Sequence, residues 1–502
     1  MEDYKMKKAY KYILLAFAVM GGLSSCSLDV DNNDNVNTTD AFKTLTDVRN
    51  GMNGAYYYLG QYEFLGNYAL AIGDMSGGVC AGSNSSGHFI NFSDWTISDT
   101  EGELSDVWNY GYKVIDASTR TIAGGKALLA NTNANLKKVQ TGDLYAYIGE
   151  CYALKALAYH YLVNLFALPY SSANKSAAGL VLVKDTPIDA FEKVQRSTVE
   201  ETYAQILSDL SAAENAYKEA QAIYDEVAQD NINPGVNLSS AYYMGYMGLK
   251  SLEARVYMSM GNYTDAEAAA KEAISFKDTG DGTASDTNPS NEGYVTMWKN
   301  TAVTAEDLFT IVKSDNDNLS ANALNTLYGS YYGTVQIAAL KTFKTKTDIR
   351  FKGLVTYNSK CGYQPLKFNG TATAQAVSNI PIFRKSEMSL IIAECEARAG
   401  NIAEAQNYVM YTAKRNTALT AADLPTTAAD MLTFISQERI REFFGEGHRF
   451  YDARRMGDLV NADNFAGFDI QKFVFPIPSD EINSGFGVAQ NTGWEDNLPA
   501  TE

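Results

Sequence analysis

Apolar residues recur at spacings of three and four over long stretches of the chain, which predicts amphipathic helices with one buried stripe each. Leu144, Ile148, Cys151, Leu154, Ala158, Tyr161, Leu162 and Leu165 form one such stripe, and Pro169 marks its end. A second helix is predicted over Ser197–Tyr217 with Tyr203, Ile206, Leu207 and Leu210 inward, capped by Ser197 or Thr198 with Glu200 or Glu201 three residues on. Residues 247–275 carry a more specific pattern. Ala254, Tyr257, Gly261, Tyr263, Ala266, Ala273 and Ile274 stand where a tetratricopeptide-like helix pair needs small residues for close approach, glycine for the turn and rings for the gap to the next pair. A second copy follows, with Ala393, Gly400-Asn401, Glu404 and Ala405 aligning with Ala254, Gly261-Asn262, Asp265 and Ala266. Long insertions at about 60–110, 170–196, 277–380 and 417–430 separate these elements. They are rich in Gly, Ser, Asn, Thr and aromatics, with short strand-like runs at Leu180–Val183 and Asp307–Val312. The expected fold is mostly α: a scaffold of helix pairs carrying irregular loops and a few short strands. Loops on a rigid frame are where binding residues concentrate.

Composition narrows the function. The 502 residues carry a formal charge of −18, which repels nucleic acid and argues against it as a partner. The 33 tyrosines suit either core packing or a surface that stacks on flat ligand faces. The N-terminus reads as a targeting segment: Lys5, Lys7, Lys8 and Lys11, then the apolar run Ile13–Met20, too short to span a bilayer, then Leu23-Ser24-Ser25-Cys26. That ending resembles a bacterial lipobox. It implies a signal peptide over 1–25, lipidation of Cys26 and a flexible Asp/Asn-rich tether over 26–41, leaving one domain over 42–502. The acidic stretch after Cys26 also resembles the surface-export signal of Bacteroidota lipoproteins. Cys80, Cys151, Cys361 and Cys395 show no CxxC spacing, and there are only three histidines, so neither a metal site nor a disulfide is indicated.

Six ordered motifs resemble the SusD/RagB family of nutrient-uptake outer-membrane lipoproteins. They are Phe42-Lys-Thr…Gly54-Ala55-Tyr56, Trp108-x3-Tyr112-x2-Ile115, Lys155-Ala-Leu-Ala-Tyr-His-Tyr161…Pro169-Tyr170, Ile382-Phe-Arg-Lys-Ser-Glu387, Glu438-Arg439-x2-Glu442…Arg455, and Phe475-Pro-Ile-Pro478…Glu481-Ile482…Gln490-Asn491-x-Gly493. Ala167 and Lys385 depart from the family's usual residues. The resemblance implies a SusD-like fold with four tetratricopeptide-like pairs. It also implies non-catalytic capture of glycans, or of peptides as in RagB-like members, above a SusC-like TonB-dependent transporter, with no cofactor.

Two loops combine rings with hydrogen-bonding side chains, as a sugar site requires. Residues 74–95 hold Asp74, Asn84, His88, Asn91, Phe92 and Trp95; residues 314–332 hold Asn318, Tyr328, Tyr331 and Tyr332. The bland alternative is that these rings anchor the loops to the scaffold. Trp108, Trp298 and Trp494 read as packing residues, and each histidine as a core or surface residue by default. Glu438, Glu442 and Glu446 repeat every four residues, a spacing that suggests paired glycosidase carboxylates. The arginines beside them would keep them ionised, which disqualifies a proton donor. The favoured reading is a structural ion-pair network of Glu438, Arg439, Glu442, Glu446, Arg449, Asp452 and Arg455. A surface glycosidase and a helical protein that binds only other proteins are the remaining rivals.

Overall fold

The computed structural model describes residues 41–185, 188, 192–275, 291–298, 301–368, 377–458 and 468–498. The expected leader, Cys26 and nearly all of the tether lie outside these residues, as do parts of the 277–380 insertion. Helices dominate. Gly102–Ala130, Lys138–Phe166 and Val199–Ala228 are the longest, and each packs against the next along the chain. The Lys138 helix is buried over almost its whole length from Gly142 onward, which explains why its apolar stripe widens toward a fully apolar sequence. The Val199 helix starts where expected: Thr198 Oγ1 accepts from Glu201 N while Glu201 accepts from Thr198 N. It runs on to Ala228 because Ala213, Ala216, Tyr217, Ala220, Tyr224 and Val227 continue its buried face beyond the predicted end.

Both small-residue repeats form helical hairpins. Tyr246–Met260 and Tyr263–Ser275 join at Gly261, whose φ of 72° is left-handed and free of penalty only for glycine. Lys385–Arg398 and Ile402–Ala413 turn in the same way at Gly400. The two hairpins, far apart in sequence, pack on each other through the Tyr263 and Lys385 helices. Arg398 lies 4.5 Å over the Tyr263 ring at that junction. Helix Ala428–Phe443 closes the stack, and Leu390, Ala393, Ala405, Val409, Met431 and Ile435 fill the space between these last three helices.

Among the described residues, four two-stranded antiparallel ladders decorate the helices. Ala178–Val181 pairs with Arg196–Thr198, and Asp307–Ile311 with Ile380–Arg384, so both strand-like runs in the sequence become strands. The second ladder delivers the chain straight into the Lys385 helix. Motifs distant in sequence meet at the end of the Lys138 helix. Arg454 donates to the carbonyls of Asn164, Ala167 and Phe473, and Asn491 Nδ2 to those of Phe166 and Phe475 at 3.0 and 2.7 Å. The C-terminal segment is thereby stitched to the scaffold. Cys80, Cys151, Cys361 and Cys395 are all free thiols.

Candidate functional site

Two of the predicted loops are brought side by side by a minimal ladder in which Cys80 faces Val335 and Ala81 faces Thr334. This register sets His88 flat on Tyr331, with ring centroids 4.4 Å apart and planes 14° from parallel. Tyr332 follows with a φ of 61°, an unusual backbone for a bulky residue, so the loop itself fixes the ring's direction. A hairpin, Val355–Asn358 with Gly362–Pro365, completes the surface. Its Tyr357 and Tyr363 face each other across the ladder at 5.2 Å and are 66% and 38% exposed, among the most exposed large rings in the protein. Gln364 Nε2 donates to the carbonyls of Tyr328 and Gly329 at 2.7 and 2.9 Å, tying hairpin to loop. Lys360 hangs 5.8 Å from the Tyr332 ring. The result is an aromatic ridge of His88, Tyr331, Tyr332, Tyr357 and Tyr363 with polar groups along it.

Several predicted ligand contacts are elsewhere. Asp74, Phe92, Trp95 and Tyr328 are each about 1% exposed and cannot line a surface site, so the anchoring alternative applies to them. Trp95 packs edge-on against Phe468 and Phe473, and Phe92 against Phe475. Loop length forces this: long insertions need their own apolar anchors to leave only a few rings outside. Asp74 lies under the turn that precedes helix Arg449–Met456 and accepts from Arg449 N. Here Gly73 and Gly447 approach so closely that a Cβ on Gly73 would sit 2.2 Å from the Gly447 carbonyl oxygen. Asn91 is committed to Glu101 and Thr96, and Asn318 to its own loop through Asp315 O and Ser320 N. Asn84 is exposed at the tip of the first loop. Tyr357 and Tyr363 escaped the sequence reading. The alternation Val355-Thr-Tyr-Asn around a Ser-Lys-Cys turn and back through Gly-Tyr-Gln-Pro365 was the available signal.

The charged stretch folds into two buried clusters. Glu442 is fully buried and meets Arg384, Arg415 and Arg350 at 3.0, 3.1 and 3.2 Å, with the Tyr294 hydroxyl at 3.0 Å. Glu438 pairs with Arg350 and Arg441, and Glu446 with Arg384 and Lys367. Arg439, Asp452, Arg455 and Glu394 make the second cluster, while Arg449 reaches Asp458. Burial pushes the Glu442 carboxyl up, but Arg415, Arg384, Arg350 and Lys367 together outweigh it and hold it at about 2. A carboxyl held there stays ionised and cannot act as a general acid.

Burial wins elsewhere. It pushes Asp74 up to about 7 against the pull of the Gly447 and Arg449 amides, and Glu150 up to about 7 although the Tyr56 hydroxyl donates to it at 2.6 Å. Both folded values lie above those of the unfolded chain. Their protonated forms therefore favour folding fully below about pH 4, and that contribution is lost as pH rises through 7. Asp74→Asn with Glu150→Gln should accordingly shrink the fall in melting temperature between pH 5 and pH 8. A difference as large as that of the parent protein would contradict these assignments.

The sequence model described as the SusD family matches residues 221–494. A second, described as starch-binding and associating with the outer membrane, matches residues 28–224. No curated protein matches the chain. Among solved structures, a SusD superfamily protein from Bacteroides vulgatus is 25% identical with a TM-score of 0.74, covering 90% of this chain and 100% of its own. One from Bacteroides thetaiotaomicron is 22% identical with a TM-score of 0.75, covering 89% and 99%. A laminarin-binding SusD-like protein is 20% identical with a TM-score of 0.66, covering 90% and 100%.

Proposed function

The chain belongs to the SusD family, and on that premise we propose that it captures oligosaccharides at the cell surface and passes them, unaltered, to a SusC-like TonB-dependent transporter. The observation that carries this reading is the exposed aromatic ridge. Pyranose rings present apolar faces that stack on tyrosine, and their hydroxyls need polar partners beside the stack. A row of rings on loops suits an extended ligand held with modest affinity, which a delivery protein must be able to release. Support also comes from relatives: one family description names starch and the outer membrane, and one structural neighbour is named for laminarin. The glycosidase rival loses its candidate acids, because Glu438, Glu442 and Glu446 are consumed by arginine and lysine partners inside the scaffold. Anchoring would rest on acyl chains at Cys26; no helix among the described residues is long and apolar enough to cross a membrane.

The test is made on cells. Deleting the protein should abolish surface labelling by fluorescent oligosaccharides, and Cys26→Ala should move it from the membrane to the soluble fraction with the same loss. Unchanged uptake with the protein soluble in the periplasm would refute the proposal. Retained labelling by peptides alone would favour the RagB-like alternative.

A further inference from the structure

Charge is distributed unevenly around the ridge. Within a chain of net charge −18, residues 336–368 contain six lysines and Arg350 against the single acid Asp348. Asp348, Arg350 and Lys367 are buried in the ion-pair clusters. The remaining five lysines, at 341, 344, 346, 352 and 360, are all exposed. Lys344, Lys346, Lys352 and Lys360 make no ion pair among the described residues.

The same segment walls a cleft of about 480 Å³ lined by the cations Lys341, Lys344 and Arg441 and the acids Asp348 and Glu438, together with Gln437. Arg441 is almost wholly buried in that wall, held by Glu438 at 2.8 Å and the Thr342 carbonyl at 3.0 Å. Because Glu438 also serves Arg350 at 2.6 Å, its charge is shared and the wall keeps a positive excess. A run of packed rings links the cleft wall to the ridge beneath the surface. Phe343, next to Lys344, contacts Phe351 at 6.0 Å; Phe351 contacts Tyr363 at 6.0 Å, and Tyr363 faces Tyr357.

Resting on the capture reading above, we infer that the ligand is an anionic oligosaccharide, bearing uronate carboxylates or sulfates, whose charged units lie over the Lys344–Arg441 cleft while neutral faces stack on the tyrosines. The protein's net charge of −18 repels an anion at long range, but it does not set binding at contact distance. Exposed charges are screened beyond about 8 Å at physiological salt, so the local lysines decide what docks there. Carboxylate and sulfate share this chemistry and are separated by experiment.

Calorimetry of the purified protein with three hexamers (an oligogalacturonate, a sulfated glycan and a neutral laminarin fragment) tests the inference. At low salt one of the anionic hexamers should bind about tenfold or more tighter than the neutral one and weaken steeply at high salt. Lys344→Ala with Lys360→Ala should weaken it about tenfold. The inference is overturned if the neutral hexamer binds as well as both anionic ones, or if the double variant stays within about twofold of the parent. Binding of none of the three overturns it together with the capture reading. Preferential laminarin binding overturns the inference alone.

Discussion

Glu442→Gln should lower the free energy of unfolding by about 3–5 kcal/mol, the largest stability effect expected for any single substitution in the charged stretch. The side chain is fully buried and faces three guanidinium groups and the Tyr294 hydroxyl, so removing its charge takes the shared carboxylate from Arg350, Arg384 and Arg415 and leaves that buried cluster short of one negative charge. Its carboxyl is held at about 2, below the value of an unfolded glutamate. The contribution is therefore complete above about pH 4.5 and is lost as pH falls toward 2. Chemical denaturation at pH 7 measures the loss directly. The exposed pair Lys472–Asp469 gives the contrast: with the lysine 72% exposed, Lys472→Ala should change stability by less than about 0.5 kcal/mol. Equal effects at the two sites would mean that burial does not govern these ion pairs.

Glu442 also shows where sequence reading stops. The four-residue spacing of Glu438, Glu442 and Glu446 is visible along one helix, and so is the arginine content around it. The partners of Glu442 are not, because Arg384 and Arg350 come from 58 and 92 residues upstream and reach it only after the strands and helices between have folded. Periodic features fared differently. The Lys138 stripe, the Thr198 cap and the Gly261 and Gly400 turns are local, set by spacing and by the conformational freedom of one residue, and each lies where the pattern places it. Loop rings carry no such period. Trp95 and Tyr331 look alike in sequence, yet one is packed under Phe468 and the other lies flat under His88 in the ridge. Only the pairing of Cys80 with Val335 decides which rings come together, and two-residue strands leave no signature in composition.

The second large effect concerns binding. Tyr331→Ala with Tyr332→Ala should weaken oligosaccharide binding about 30-fold or more, the loss of about 2 kcal/mol or more that a central aromatic anchor carries. Tyr331 supports the His88 ring, so its removal also frees that imidazole to rotate away. The two tyrosines are only half-buried, and the scaffold beneath them is held by Gln364 through the backbone carbonyls of Tyr328 and Gly329. The melting temperature should therefore stay close to that of the parent. By contrast, Trp95→Phe should disturb stability and leave affinity unchanged, because the indole is sealed inside the loop. The two outcomes separate ridge from anchor, a distinction that the loop sequences alone do not make.

The most direct test of the whole account is a calorimetric titration of the parent protein and the Tyr331→Ala/Tyr332→Ala variant with a panel of neutral and anionic oligosaccharides, followed by chromatography of the recovered sugars. The account predicts binding of at least one oligosaccharide by the parent, its loss in a variant that melts normally, and ligand recovered at its original length. Undiminished binding by the variant, or shortened sugars after incubation with the parent, would contradict it.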